Sequence, residues 1–435
     1  MRALPALFNR PVPPCLLTVS VTESPVSAAD PSRMTALERR ASGSLASVFA
    51  ARMLGLFLVL PVFALEAARY PGGGDPALVG LAMGIYGLTQ GVLQIPFGMA
   101  SDRFGRKRVI ILGLLVFAAG SFMAAAADSL FWLIAGRSLQ GAGAVSAAVT
   151  ALLADQTRDV VRTKAMALVG ASIGLMFALS LVAAPLLAER IGLAGLFAVT
   201  GLLALACIAV VAWWTPPEPA QQKNAPRGRL AEVLSHGPLL RLDVGVFVLH
   251  AVQLAMWVAI PGLLVRSGID KQHHWWIYLP AVLASFAVMG LTLFPLERKG
   301  YLRAVFLTSV GLVGLVQVAL LLAVRQPNAA VLAFLLFVFF CGFNVLEATQ
   351  PSMASRVAPP HARGAALGVY NTLQSLGFFA GGAVGGWLAK NVGMQGLFAA
   401  CAALMLLWLA VAWPMRAPAP PKSAEELLAN EAQAT

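Results

Sequence analysis

The 435-residue chain is predicted to be an all-α membrane protein, with twelve transmembrane helices forming two pseudo-symmetric six-helix bundles. Three features lead there. Hydrophobic residues make up 59% of the chain and charged residues 11%, against roughly a quarter charged in a soluble domain, so a water-facing surface cannot be assembled from it. Apolar stretches of about twenty residues, enough to cross roughly 30 Å of hydrocarbon, recur along its length. The string Ile191-Gly-Leu-Ala-Gly195-Leu-Phe-Ala198 returns as Val392-Gly-Met-Gln-Gly396-Leu-Phe-Ala399, and the same shift of about 201 residues carries Gly141 onto Gly342 and Arg162 onto Arg363.

Taken in order, residues 1–43 form a leader containing Pro11, Pro13, Pro14, Pro25 and Pro31, read as disordered. It lacks an apolar core ahead of a cleavage site and so is not a signal peptide; Met34 offers a second start. The first bundle, 44–214, holds spans at 45–68, 77–100, 108–127, 130–153, 165–188 and 193–214. A polar linker, 215–242, leads to the second bundle, 243–415, with spans at 243–265, 275–296, 303–324, 329–351, 364–389 and 394–415. Residues 416–435 form a disordered tail with Pro418, Pro420, Pro421 and a few acids.

Between the second and third spans lies Gly98-Met-Ala-Ser-Asp102-Arg103-Phe-Gly105-Arg106-Lys107-Arg108, with four cations and one acid in eleven residues. Such a turn must sit in water or headgroups, which makes its flanking spans an antiparallel pair. Alternate connections divide the remaining cations unequally. Arg39, Arg40, Arg158, Arg162, Lys164, Arg303, Arg356 and Arg363 share a side with this turn; Arg69, Arg190, Arg266, Lys271, Arg325 and Lys390 lie opposite. The richer side is expected to be cytoplasmic, and both termini with it. Because the +12 net charge resides in such turns, nucleic acid is not an expected partner. Cys207, Cys341 and Cys401 lie in apolar spans and Cys15 in the leader, so neither disulfides nor a metal site is indicated, and no cofactor-binding string is present.

Arg52, Arg137 and Glu347 fall within apolar spans, where a central charge costs roughly 2.5 to 3.5 kcal/mol, and are therefore site candidates. Arg52 and Glu347 lie at matching depth and are expected to pair across the halves. In the second span Gly80, Gly84, Gly87 and Gly91 form a strip for backbone packing, with Tyr86, Gln90 and Gln94 opposite as cavity-lining candidates. The eleventh repeats the device with Gly377, Gly381 and Gly385, interleaved with Gly382 and Gly386, beside Tyr370, Asn371 and Gln374. His250, Gln253 and Trp257 share a face of the seventh span, and Asn344, Glu347 and Pro351 one of the tenth. Arg137, with Gln140, suits either carbonyl bonding or coupling; His250 taken alone reads as a packing residue.

These residues resemble the major facilitator superfamily over about 35–415. The turn at 98–108 resembles the family's signature loop, and Arg137-Ser-Leu-Gln140-Gly141-Ala-Gly143 resembles the fourth-helix signature of its proton-coupled members. Ile85-Tyr-Gly-Leu-Thr-Gln90, Gln94-Ile-Pro-Phe-Gly98, Arg162-Thr-Lys-Ala-Met166 and Phe343-Asn-Val-Leu-Glu347-Ala point to its drug:proton antiporter branch. Ala184-Pro185 departs from the Gly-Pro of the antiporter signature. The resemblance implies the major facilitator fold and a conformational latch built from Gly98, Asp102, Arg103, Gly105, Arg106, Lys107, Asp155 and Arg162, with Asp102 at the N-terminus of the eleventh helix and Arg106 bridging to Asp155.

The function expected is secondary active transport by alternating access, as proton-coupled efflux of small hydrophobic or amphipathic compounds, with Glu347 as the proton-linked acid. The protein would act as a monomer in the bacterial inner membrane, its partners a small-molecule substrate, protons and the lipid bilayer. The alternative is a proton-coupled symporter or facilitator for sugars, amino acids or organic anions. A channel fits twin halves less well. A membrane enzyme fits least, since no metalloprotease string, nucleophile elbow or phosphate loop is present.

Overall fold

A computed structural model describes residues 33–143, 145–218 and 230–415; the predicted tail, most of the leader and the middle of the linker lie outside it. All regular structure among the described residues is helical. Helix α1 (Ala36–Phe57) starts upstream of the predicted bundle boundary because Thr35 and Glu38 form a reciprocal capping box. Pro61 lacks the N–H that would continue it, and the chain restarts as α2 (Leu60–Ala67). Helix α3 (Pro76–Phe104) is capped by Asp75 and ends at Gly105, whose φ of +100° suits glycine. Then come α4 (Arg106–Ala125), α5 (Leu130–Ala142) and α6 (Ser146–Asp155), the last two covering the fourth predicted span with an interruption at Gly143.

Helix α7 (Asp159–Ala209) covers both the fifth and sixth predicted spans and is broken at Gly192, φ +64°. After the short linker helix α8 (Leu230–Ser235) come α9 (Gly237–Arg266), α10 (Trp275–Arg298), α11 (Leu302–Ala323), α12 (Ala329–Val357), α13 (Arg363–Asn391) and α14 (Gly393–Ala412). Gly393, φ +80°, separates α13 from α14 at the position the 201-residue shift assigns to Gly192. The internal repeat thus extends to backbone conformation at the point where each half turns into its last helix.

Nine helical stretches among the described residues are long and apolar enough to cross a membrane by length and composition. The count differs from the predicted twelve at three places: α5 and α6 are each too short alone, α13 is diluted by glycine and polar residues, and α7 counts once across its break at Gly192. Large apolar side chains face outward, with Leu291, Leu322 and Phe131 all more than 70% exposed; a soluble monomer would not leave such a girdle in water.

One core packs α1, α4, α6 and α7 around Leu45, Ile110, Leu152 and Cys207. A larger one centres on α9, α11, α12 and α14, with Trp408 and Phe306 in edge contact, and reaches into α2, α3 and α7. Between the halves, α3 lies against α13 by the predicted glycine strip: Gly80 against Gly386, Gly84 against Phe379, Gly87 against Phe378 and Gly91 against Leu376. On its other side α13 packs Gly377, Gly381 and Gly385 against Phe247, Ala251 and Ala255 of α9. A Cβ on Gly84 would stand 2.7 Å from the Phe379 carbonyl oxygen, so this approach requires glycine.

Candidate functional site

The residues singled out in the sequence fall into an end cluster and two interior clusters. At the end bearing the cationic turn, the basic end, Arg106 is paired with Asp102 and donates from Nε to Asp155 at 3.0 Å and from Nη1 to Ser101 at 2.8 Å. The sequence gives no sign of Glu218. Its carboxylate accepts from the backbone N–H groups of Arg106 at 3.0 Å and Lys107 at 2.6 Å, capping the otherwise unsatisfied start of α4. Lys107 donates to the Thr215 carbonyl at 2.7 Å, Arg103 lies over Phe104, Gly98 faces Ala147, and Arg162 donates to the Ala154 and Thr157 carbonyls. The predicted Arg106–Asp155 bridge is present, and Asp102 pairs with Arg106 as well.

In the first half, Arg52 is buried and donates 2.7 Å bonds to Ser146 and Tyr86 and a 3.4 Å bond to Gln90. Its Nε has no partner among the described residues. Arg137 lies over the other part of Tyr86, 5.1 Å from the ring centroid, and donates to the carbonyls of Ala82 and Met83 and to Gln140, which bonds Ser121. Tyr86 is therefore held between two guanidinium groups, its hydroxyl receiving one and its ring the other. Tyr86 and Gln94 are buried, whereas Gln90 is half-buried.

In the second half, His250 Nδ1 lies 2.8 Å from the Val246 carbonyl, so Nδ1 carries the donated proton. Its Nε2 lies 2.8 Å from Gln374 Nε2 and 3.2 Å from Glu347 Oε2, and Gln374 donates to Glu347 Oε1 at 3.3 Å. One proton between Nε2 and Oε2 makes this contact attractive; with none, a ring lone pair would face a carboxylate. The histidine side chain is 2% exposed and the Glu347 side chain 40%. Glu347 is thus the half-exposed member of the pair and His250 the buried one. Asn344 donates to Ser285 at 2.8 Å, Trp257 stacks edge-on with Tyr278, Gln253 and Tyr370 are buried, and Asn371 is half-buried.

The expected Arg52–Glu347 pair does not form in this conformation. Arg52 bonds only groups of its own half, and Glu347 is engaged by His250 and Gln374. The halves are instead joined by ions at the end opposite the cationic turn, where the acids Glu66 and Asp75, which carry no signal in the sequence, meet two lysines. Lys271 donates to the buried Glu66 at 2.6 Å, which also pairs with Arg69 at 2.9 Å, and Lys390 donates to Asp75 at 2.7 Å. The Lys390 ammonium, helped by the Ala77 N–H, holds the Asp75 carboxyl below its ordinary range. Toward the basic end the α3–α13 contacts stop near Gly91, and a Cβ on Gly364 or Gly368 would meet nothing within 4 Å. The halves are pinned together at one end, and α3 and α13 part toward the other.

The Major Facilitator Superfamily profile matches residues 45–373 and 244–434. The inner membrane transport protein YajR of Escherichia coli is 42% identical over 390 residues, 89% of this chain and 85% of that protein. The multidrug resistance protein MdtH of Aeromonas salmonicida is 27% identical over 79% of this chain and 86% of its own. In fold, the human organic anion transporter MFSD10 superposes with a TM-score of 0.66 at 18% identity, covering 86% of this chain and 99% of that one.

Proposed function

We propose that this chain, which belongs to the Major Facilitator Superfamily, is a proton-coupled exporter of small hydrophobic or amphipathic compounds working by alternating access. It is a transporter and not an enzyme; the coupling, direction and cargo are our reading. That reading places twelve crossings in two six-helix bundles, with α5 and α6 sharing one crossing, α1 and α2 another, and α7 supplying two. The basic end is cytoplasmic, both termini lie there, and the parted conformation faces the cytoplasm. The likeness to YajR and MdtH supports an inner-membrane exporter acting on compounds of the drug class, and the protein acts as a monomer.

The observation that carries the proposal is the His250–Glu347–Gln374 cluster, a site built to hold one exchangeable proton beside an open gap. Facing the cytoplasm, Glu347 releases its proton when substrate enters. After the halves rock, substrate leaves to the outside and a new proton settles between Glu347 and His250. The returning site carries that proton inward, and the membrane potential contributes about 2.3 kcal/mol per charge per 100 mV. The Arg106–Asp102–Asp155 network, already formed with the basic end parted, holds the turn in shape as the first half's part of the latch at that end. In proteoliposomes with an imposed pH gradient, Glu347→Gln is expected to reduce drug flux to that of protein-free vesicles; wild-type flux in that variant would end the assignment.

A further inference from the structure

The charges of the interior do not balance. Arg52 and Arg137 are both buried, and every described hydrogen-bond partner of either is neutral: Ser146, Tyr86 and Gln90 for one, Gln140 and two carbonyls for the other. Across the gap, the His250–Glu347 pair holding one proton has no net charge, wherever on the pair the proton sits. Asp243, buried two helical turns from His250 on α9, is the remaining acid of that half's interior; the sum stays positive if either Asp243 or the pair holds a proton. A buried cation without a counter-ion is costly unless a ligand supplies the missing charge.

The two arginines are not equivalent. Arg137 uses Nε and both terminal nitrogens on its own helices, which ties α5 to α3. Arg52 leaves Nε unpartnered among the described residues, and its longest bond, 3.4 Å, goes to Gln90, the half-buried member of its shell. The Nε2 of Gln90 makes no described bond, so a carboxylate that displaced Gln90 Oε1 would find an Arg52 fork and an amide donor together.

We infer that the cavity takes organic anions: its cargo is a monocarboxylate with an apolar body, held at Arg52 and Gln90. This rests on the transport function proposed above and narrows its substrate class.

The test uses the full chain in nanodiscs with two probes of matched body, 1-naphthoate and 1-naphthylmethylammonium, binding being read by thermal melting at fixed pH. Naphthoate is expected to raise the melting temperature and the ammonium not to. Arg52→Gln is expected to weaken naphthoate binding by roughly tenfold or more, the scale of a lost charge-assisted bond, while Arg52→Lys keeps the preference for carboxylate at reduced affinity. Because Arg52→Gln can fail to fold, Gln90→Glu is the second probe: it supplies a carboxylate in place, so it is expected to melt higher than wild type and to lose naphthoate binding. Preference for the ammonium, binding of neither probe, or naphthoate binding unchanged in Arg52→Gln or Gln90→Glu would overturn the proposal. Since no gradient is applied, an anion preference can stand even if proton coupling fails. Conversely, pH-driven flux of the ammonium in vesicles would keep proton exchange and end the anion assignment.

Discussion

The two halves share a scaffold and oppose each other in charge. Under the 201-residue shift Ser146 of α6 corresponds to Glu347 of α12. In the first half that position is a neutral acceptor for a buried arginine; in the second it is an acid engaged by a histidine. The same inversion occurs at the basic end. Asp155 receives Arg106 from the turn in one half, whereas Arg356, its counterpart in the other, donates at 3.0 Å to Glu297. The repeat keeps the places where polar groups sit and lets their sign diverge, which sets a buried arginine in one half against an acid–histidine pair in the other.

The sharpest way to break this comparison is to neutralise one side at a time. Glu347→Gln is expected to abolish pH-driven flux, with wild-type melting behaviour retained because the isosteric amide can still bond His250 and Gln374. Next in size is the seam. Gly84→Leu is expected to lower stability by about 1 to 3 kcal/mol, the usual range for overpacking, read as a reduced melting temperature. If α3 and α13 can separate at no cost, it will melt as wild type does.

Smaller effects are expected at the ends. Lys271→Met removes one of two cations from the buried Glu66, and cysteine labelling at that end is expected to rise roughly tenfold, equivalent to about 1.4 kcal/mol. Exchanging the charges of the Glu297–Arg356 pair tests whether the halves are interchangeable there. Each single reversal is expected to cost about 0.2 to 1 kcal/mol, and the double exchange to restore wild-type stability in denaturation. Asp75→Asn is expected to act least. Its carboxyl is depressed in this conformation by Lys390, so its stabilisation is complete above the ordinary aspartate range and lost only as pH falls through the depressed value. From about pH 5 to 8, well above that range, labelling of the closed end is therefore expected to show a small offset in Asp75→Asn with no pH dependence.

Helix positions and the glycine strips were legible in the sequence because hydrophobic length and small-residue spacing are local properties. Gly80, Gly84, Gly87 and Gly91 announce a packing face without naming its partner, and the repeat supplied the second strip on α13. Depth was legible too, but depth fixes height along the membrane normal and not direction around a helix. Arg52 and Glu347 do lie within their halves at matching depth, yet the partners each one finds belong to its own half. The clasps Glu66–Lys271 and Asp75–Lys390 were hidden because each joins helix ends far apart in the chain. Glu218 was hidden because a carboxylate in a linker gives no sign of which helix start it caps.

Along the α3–α13 seam main chain meets main chain at Gly80 and Gly84, and the side chains of Phe378 and Leu376 come in only toward Gly87 and Gly91. Interlocked side chains would have to find new rotamers each time the halves tilt, whereas bare backbone can swivel on bare backbone and keep the same neighbours. The longest contact between the halves is thus formed by the residues with least to rearrange, much as a journal lies in a smooth bearing.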